Sequence, residues 1–448
     1  MIAKHYPGQT DDLTAKSLGI PHEKERYQMR KSIVRDRLDR LLLPAMRAHN
    51  IDMWLIITRE FNPDPLLPDV GEHYPGVRNI YVFFDHGGDQ AEKVFVGSHD
   101  FRESIIPDIY DKVVFYGYSQ EGLRPHLKEL MDSRDPQRIG VNMSPTLPMA
   151  DGLTVMMKQY LEEAIGETYA QRLVSAELVA RDFRANRIPE ELPVFRKLCA
   201  WTVAWEEMAF SPNVLRPGET TAGDVQWWMR DKARALGMEL EFLPGVRATH
   251  RGDALPTGST DHVLQAGDVA SVDAGLAFID YRSDIKRSVY LLRPGESEPP
   301  PSIRTAFAKG LEMAEVLTAN MKPGAIAHEV WDQTMAWATG QGYEIDYPLV
   351  PGPTGSLTAP RVGIYCHSVG NATHDIGARI AVDWPHAYGD RVRYPLVLNQ
   401  WYSIELHVTT PIPEWDNKRL CVRIEDTAVL TENGVEYVVP PQRELLLV

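Results

Sequence analysis

Apolar positions recur at helical spacing through residues 24–49, interleaved with Arg and Lys, and the stretch closes near Asn50. A short continuous apolar run follows, Met53-Trp54-Leu55-Ile56-Ile57-Thr58, which reads as a strand. The same signal returns at Tyr81–Phe84, Val94–Val96 and Val113–Phe115, with helical stretches between some of them. Strands interspersed with helices predict an α/β domain over about the first 170 residues. No glycine-rich phosphate loop lies there, so this part is assigned no chemistry.

From residue 175 onward the pattern repeats itself. Glu207-Met208-Ala209, Arg216-Pro217-Gly218, Val225, Ala233, Gly237 and Glu239–Phe242 form the first copy. Glu312-Met313-Ala314, Lys322-Pro323-Gly324, Val330, Ala338, Gly342 and Glu344–Tyr347 form the second, about 105 residues further on. Each copy predicts helix, Pro-Gly turn, second helix, terminating Gly and strand. A duplicated α+β unit sets two similar halves around a pseudo-twofold with a cleft between them. The expected division is therefore an α/β domain over 1–174 and a duplicated α+β domain over 175–448.

Composition narrows the class of function. The 448 residues carry a net charge of −15, which argues against nucleic acid or an anionic membrane as the main partner. Cys199, Cys366 and Cys421 are odd in number and far apart. They suggest neither a disulfide framework nor a thiolate zinc site, and they favour a reducing compartment. The first residues lack an apolar stretch of signal-peptide length, and Leu41-Leu42-Leu43 is stopped by Pro44. The expectation is a cytoplasmic enzyme or binding protein.

Acids follow each copy of the repeat. Asp273 sits inside the strand-like run Asp268–Gly275, and Ser283-Asp284 lies beyond a segment suited to a hairpin. Facing residues of antiparallel strands share a face, so the two carboxylates can converge. Either hairpin alone would read as solvated strand-end acids. After the second copy, however, Glu405 lies in the strand Tyr402–Val408 and Glu425 in Cys421–Asp426. Their midpoint falls at Trp415, within a loop, which places them nearly opposite. Four converging carboxylates repel one another unless a proton or cation lies between them. About two divalent cations, spaced about 3.5–4 Å, would offset four such charges. Imidazoles are supplied between the hairpins by His367 and His374 in a glycine-punctuated segment, and oxygen ligands with an imidazole suit Mn, Fe, Co or Zn.

These motifs together resemble the pita-bread metallopeptidases, in particular the Xaa-Pro aminopeptidase and prolidase branch. Val272-Asp273-Ala274-Gly275, Ser283-Asp284, Ile404-Glu405 and Arg423-Ile424-Glu425-Asp426 match its acid motifs. His367 to Gly377 matches its His-x-x-Gly-x-x-x-His-[Asp/Glu]-x-Gly segment, and Arg35 to Asp64 looks like the N-terminal domain of the longer members. The resemblance implies an α+β pita-bread domain with duplicated halves, preceded by a creatinase-like α/β domain. It implies five metal ligands, Asp273, Asp284, His367, Glu405 and Glu425. Asp273 would bind one ion, Asp284 and Glu425 would bridge, and His367 and Glu405 would bind the other, with manganese the first choice of metal. Glu405 would also accept the attacking water's proton, and His374 would face the substrate. A homodimer and a peptide or small-molecule amide substrate are implied as well.

Two positions depart from the branch. Gly363 and Pro256 stand where typical members carry pocket histidines, with His250, His262 and His386 as candidates to compensate. His407 and Arg423 share strand faces with Glu405 and Glu425, the arginine placed to orient a carboxylate. Arg287 matches a recurrent basic position of the family, and Arg251-Gly252-Asp253 is read as coincidence. The departures keep two rivals open: a non-peptidase member of creatinase, ectoine-hydrolase or sulfoniopropionate-lyase type, and a catalytically silent binding protein.

Overall fold

The computed structural model describes residues 13–99, 101, 103–117, 119–250, 259–347 and 359–448. Two compact units make up the chain, Glu23–Glu191 and Leu192–Val448, the latter joined by the described part of Met1–His22.

In the first unit a six-stranded sheet is built from β1 (Met53–Arg59), β2 (Arg78–Phe84), β3 (Glu92–Gly97), β4 (Lys112–Phe115), β5 (Ile139–Val141) and β6 (Leu173–Ser175). Their order is β4-β3-β2-β1-β5-β6. β1 pairs antiparallel with β2 and parallel with β5. Its residues Met53–Ile57 and Thr58 are all buried, which explains why it reads as an unbroken apolar run. The helical stretch before it is two helices, Glu23–Arg40 and Leu42–Ala48. Pro44 explains the break: it lacks the N–H that would bond the Arg40 carbonyl, and its ring crowds that oxygen. Past the end of β1 lies a buried polar cluster. Asn142 accepts a hydrogen bond from Trp54 Nε1 at 2.8 Å and donates to both Asp64 carboxylate oxygens at 3.0 and 2.9 Å.

In the second unit the two copies of the repeat are visible as helix pairs. Helices Glu191–Ala209 and Ala222–Ala235 lead to β7 (Glu239–Leu240). Helices Pro301–Asn320 and Ala327–Gly340 lead to β13 (Glu344–Ile345). Two repeat positions require glycine in both copies. Gly218 and Gly324 turn between the helices at φ +84° and +83°, and Gly237 and Gly342 end the second helices at +66° and +83°.

A hairpin system follows each copy. β8 (Gly245–Thr249), β9 (Val269–Ala274), β12 (Ile285–Tyr290) and β19 (Leu446–Leu447) form a sheet in the order β19-β12-β9-β8. The short strands β10 (Leu276–Phe278) and β11 (Tyr281–Arg282) continue to β7. The second system contains β14 (Arg361–Ile364), β15 (His367–Ser368), β16 (Trp401–Ile412), β17 (Lys418–Thr431) and β18 (Gly434–Tyr437). Its order is β13-β14-β16-β17-β18, with β15 also on β16. Phe195 from the first helix stacks on Trp401 at 3.9 Å, and Tyr281 meets Trp401 at 5.5 Å, so aromatic packing ties the halves together.

The helix Pro301–Asn320 lies on β16 and β17 with almost no clearance. A Cβ on Gly310 would sit 3.1 Å from both Val422 Cγ1 and Ile424 Cγ1. Gly310→Val is expected to lower stability in urea unfolding by about 1–3 kcal/mol, the usual cost of overpacking. Burial pushes the Asp64 carboxyl up to about 6, against the bonds from Leu66 N and Asn142. Its folded pKa lies above its unfolded one, so its contribution is full below about pH 4 and is lost as pH rises through 6. Urea unfolding at pH 4 and pH 7 should show wild type losing up to about 3 kcal/mol relative to Asp64→Asn across that interval.

A buried imidazole facing converging carboxylates

The two hairpins bring their acids together through strand register. β16 and β17 place Glu405 directly opposite Glu425. His367 on β15 stands opposite Ser403, two residues before Glu405, so its ring falls on the same face. In the first hairpin, Asp273 stands opposite Lys286 rather than Asp284. Asp284 immediately precedes β12 and lies diagonal to Asp273. The turn before it is fixed by the buried Ser283 hydroxyl, which bonds Thr202 Oγ1 at 2.7 Å and accepts from Leu276 N at 3.0 Å. Thr427 on β17 donates to the Asp284 carbonyl at 3.2 Å, joining the two hairpins at this point.

His367 is fully buried. Its Nδ1 donates to the Ser368 carbonyl at 3.1 Å, which leaves the Nε2 lone pair turned into the site. Nε2 lies 3.7 Å from Asp284 Oδ2, 3.7 Å from Glu405 Oε2 and 3.8 Å from Glu425 Oε1, and it has no hydrogen-bond partner. Burial first, with His374 and Arg379 adding to it, lowers the His367 pKa to about 3 despite the pull of Glu405. A neutral imidazole lone pair aimed at three carboxylate oxygens is repulsive unless a cation sits among them. His367, Glu405 and Glu425 offer one nitrogen and two oxygens within 4.8 Å of one another, donor types that suit a divalent ion with ligand bonds of about 2.0–2.2 Å. Donor atoms within 4.8 Å of one another also occur in the sets Asp284–His367–His374 and Asp273–Asp284–Glu425.

The remaining oxygens of the cluster face Lys286. Its Nζ lies 3.1 Å from Asp273 Oδ2, 2.7 Å from Glu405 Oε1 and 2.5 Å from Glu425 Oε2. Burial alone would depress the ammonium's pKa, but Glu425, Glu405, Asp273 and Asp284 outweigh it and hold the pKa well above the usual lysine range. Glu425 is pushed up to about 8, by burial first, with Glu405 and Asp273 adding to it against Lys286. Burial, then Glu425, raises Asp284 far above the carboxylate range. At Glu405 burial acts upward, yet Lys286, His367 and His374 together hold the carboxyl below its usual value. Sequence reasoning missed Lys286, although the signal was present: a lysine two residues after Asp284, in the strand that follows it, shares that aspartate's face.

Other candidates have local partners. His374 meets the His367 ring edge-on at 4.5 Å, and burial first, then Arg379, lowers its pKa. Arg287 is buried and donates to Asp426 Oδ1 at 2.8 Å, so it joins β12 to β17. His407 stands opposite Gly363. A Cβ on Gly363 would lie 2.5 Å from the His407 ring, so that ring fills the side-chain space above the glycine. His407 Nε2 also bonds Asp346 at 3.0 Å. Arg423, opposite His407, makes no ion pair among the described residues, and the charge beside the acids comes from Lys286 instead. His250 and His262 both bond the buried Asp268, at 2.5 and 3.3 Å. β8 ends with Thr249 opposite Val269, four positions from Asp273, so His250 lies at the far end of the ladder from the acids. His386 stacks on Trp384. Pro256 and Arg251–Asp253 lie outside the described residues. A further acid not expected from sequence, Glu206 on the first helix, is fully buried without a hydrogen-bond partner. Burial raises its pKa far above the carboxylate range.

A duplicated α+β unit that aims a buried imidazole and carboxylates into one place defines a metal-dependent hydrolase. Residues 195–432 match metallopeptidase family M24, more than half of the chain, and the protein belongs to that family. It is 26% identical over 275 residues to the Xaa-Pro dipeptidase of Pyrococcus furiosus, covering 60% of this chain and 67% of that protein. To the uncharacterized peptidase YqhT of Bacillus subtilis it is 23% identical over 290 residues, 62% of this chain and 70% of that one. Among solved structures, the X-Pro aminopeptidase of Thermotoga maritima superposes with TM-score 0.65 at 18% identity, covering 90% of this chain and 100% of that chain. The prolidase of Pyrococcus horikoshii gives 0.62 at 18%, covering 91% and 99%. At such identities the likeness is one of fold, and the fold is the pita-bread α+β fold.

Asp426 is 2% exposed and depends on Arg287 for its charge partner. Arg287→Met leaves that carboxylate uncompensated and should cost about 3–5 kcal/mol in urea unfolding.

Proposed function

We propose that this protein is a metal-dependent peptidase of Xaa-Pro dipeptidase or aminopeptidase type. The observation that carries the reading is the unpartnered Nε2 of His367, fully buried and 3.7–3.8 Å from oxygens of Asp284, Glu405 and Glu425. The similarity to the Pyrococcus furiosus Xaa-Pro dipeptidase supports the substrate class.

A divalent ion, when bound, supplies Lewis acidity and lowers the pKa of a neighbouring water. Around it, His367, Asp284, Glu405 and Glu425 are the holding residues. Glu405 is ionised at neutral pH and its side chain keeps 22% exposure, so it faces both the site and incoming solvent. It takes the attacking water's proton and passes it to the leaving nitrogen. Ser403 donates to Glu425 Oε1 at 2.5 Å and keeps that carboxylate oriented. His374, with its pKa lowered, is neutral and offers one N–H to the substrate carbonyl oxygen as negative charge develops there. His407 takes the pocket-wall position left open by Gly363, with Asp346 holding its ring. Manganese, a homodimer and a cytoplasmic location belong to the same proposal. No helix among the described residues is long and apolar enough to cross a membrane.

The test is turnover of a panel of Xaa-Pro dipeptides and tripeptides beside small amides, with Mn, Co or Zn added. Xaa-Pro cleavage that chelator abolishes is the expected result, with kcat reduced by about 10²–10⁴ in Glu405→Gln. Metal-bound protein that cleaves only small amides would move the assignment to a non-peptidase member of the fold.

A further inference from the structure

The carboxylates of Glu405 and Glu425 each divide their two oxygens between opposite sides of the site. Glu405 Oε2 and Glu425 Oε1 face His367 Nε2, at 3.7 and 3.8 Å. Glu405 Oε1 and Glu425 Oε2 face Lys286 Nζ, at 2.7 and 2.5 Å. Asp284 completes the imidazole side, with Oδ2 at 3.7 Å from Nε2, and Asp273 completes the lysine side, with Oδ2 at 3.1 Å from Nζ. Two cation positions therefore share a pair of carboxylates. One offers a lone-pair nitrogen and three oxygens without a hydrogen bond to that nitrogen. The other already holds an ammonium.

An arrangement of two divalent ions does not fit this second position. The Lys286 side chain is 6% exposed, and it springs from β12 directly opposite Asp273 and two residues after Asp284. Its direction is thus set by strand register. Displacing the ammonium from three carboxylates would leave a buried charge without its partners before any ion binds. Charge leads to the same result. Asp273, Asp284, Glu405 and Glu425 supply four negative charges when ionised. One divalent ion and one ammonium supply three positive charges, whereas two ions and the ammonium supply five and turn a buried site net positive. Arg287 does not enter this balance, because Asp426 pairs with it.

We propose that Lys286 stands in for the second metal ion, so that the centre holds a single divalent ion on the His367 side. The ion is bound by His367, Asp284, Glu405 and Glu425. Asp273 then serves as a partner of Lys286 and not as a metal ligand, and the lysine keeps Glu405 and Glu425 turned toward the ion. The inference rests on the metallohydrolase reading above and specifies the site that reading uses.

The experiment is metal counting on the full chain. Wild type, Lys286→Met and Lys286→Thr are loaded with excess Mn²⁺, freed of unbound ion by gel filtration, and measured by elemental analysis and electron paramagnetic resonance. Circular dichroism establishes that each variant is folded, and the two neutral replacements guard against one that is not. Wild type is expected to hold about one ion per chain with the hyperfine pattern of an isolated Mn²⁺. Folded Lys286 variants are expected to hold about two, with an exchange-coupled spectrum. Two coupled ions in wild type, or the same single ion in wild type and both folded variants, would overturn the proposal. No ion in any of the three would instead bring down the metallohydrolase reading on which it rests.

Discussion

Four carboxylates gathered in one place repel one another, and the site is organised around that repulsion. Two are essentially buried, Asp284 and Glu425, while Asp273 and Glu405 keep an edge toward solvent. Burial first, and the neighbouring carboxylates after it, push Asp284 and Glu425 toward their protonated forms even with Lys286 beside them. Positive charge therefore has to be built in or bound. Lys286 is the built-in part, and the neutral, unpartnered His367 Nε2 marks the place for the bound part.

The backbone keeps the acids from spreading apart. Glu405 and Glu425 are locked by a ladder that runs from Trp401–Val429 to Ile412–Lys418, so neither can turn away without slipping the whole hairpin. Asp273 and Lys286 are locked in the same way on β9 and β12. Packing of the helix Pro301–Asn320 against β17, at a glycine with no room for a side chain, holds the second hairpin from behind. The duplication delivers one hairpin from each half, but the halves are not chemically alike. The second hairpin opposes acid to acid, while the first opposes acid to base.

Much of this was legible in the sequence. The apolar run at Met53–Thr58 reads as a strand, and the strand is buried over those residues; the midpoint at Trp415 sets Glu405 nearly opposite Glu425, and the ladder pairs them directly. The repeat registered because both copies need glycine at the same left-handed positions. The first hairpin was misjudged in detail, since counting residues across an unknown turn leaves the register open by a place or two. That shift puts Lys286 opposite Asp273 in place of Asp284. The ring of His407 over Gly363 depends on pairing between strands about forty residues apart, which local pattern does not encode. The histidines His250 and His262 looked free to serve the site until tertiary structure gave them Asp268. Pro44 was seen as the end of an apolar run, but its effect one turn earlier, on the Arg40 carbonyl, was the larger one.

The measurement that tests the account most directly is anomalous diffraction from crystals grown with a transition metal. It should show one strong peak about 2.0–2.2 Å from His367 Nε2, bounded by Asp284, Glu405 and Glu425, with the Lys286 ammonium still against Asp273. A peak away from His367, or a pair of peaks with Lys286 driven out of the carboxylates, would contradict it.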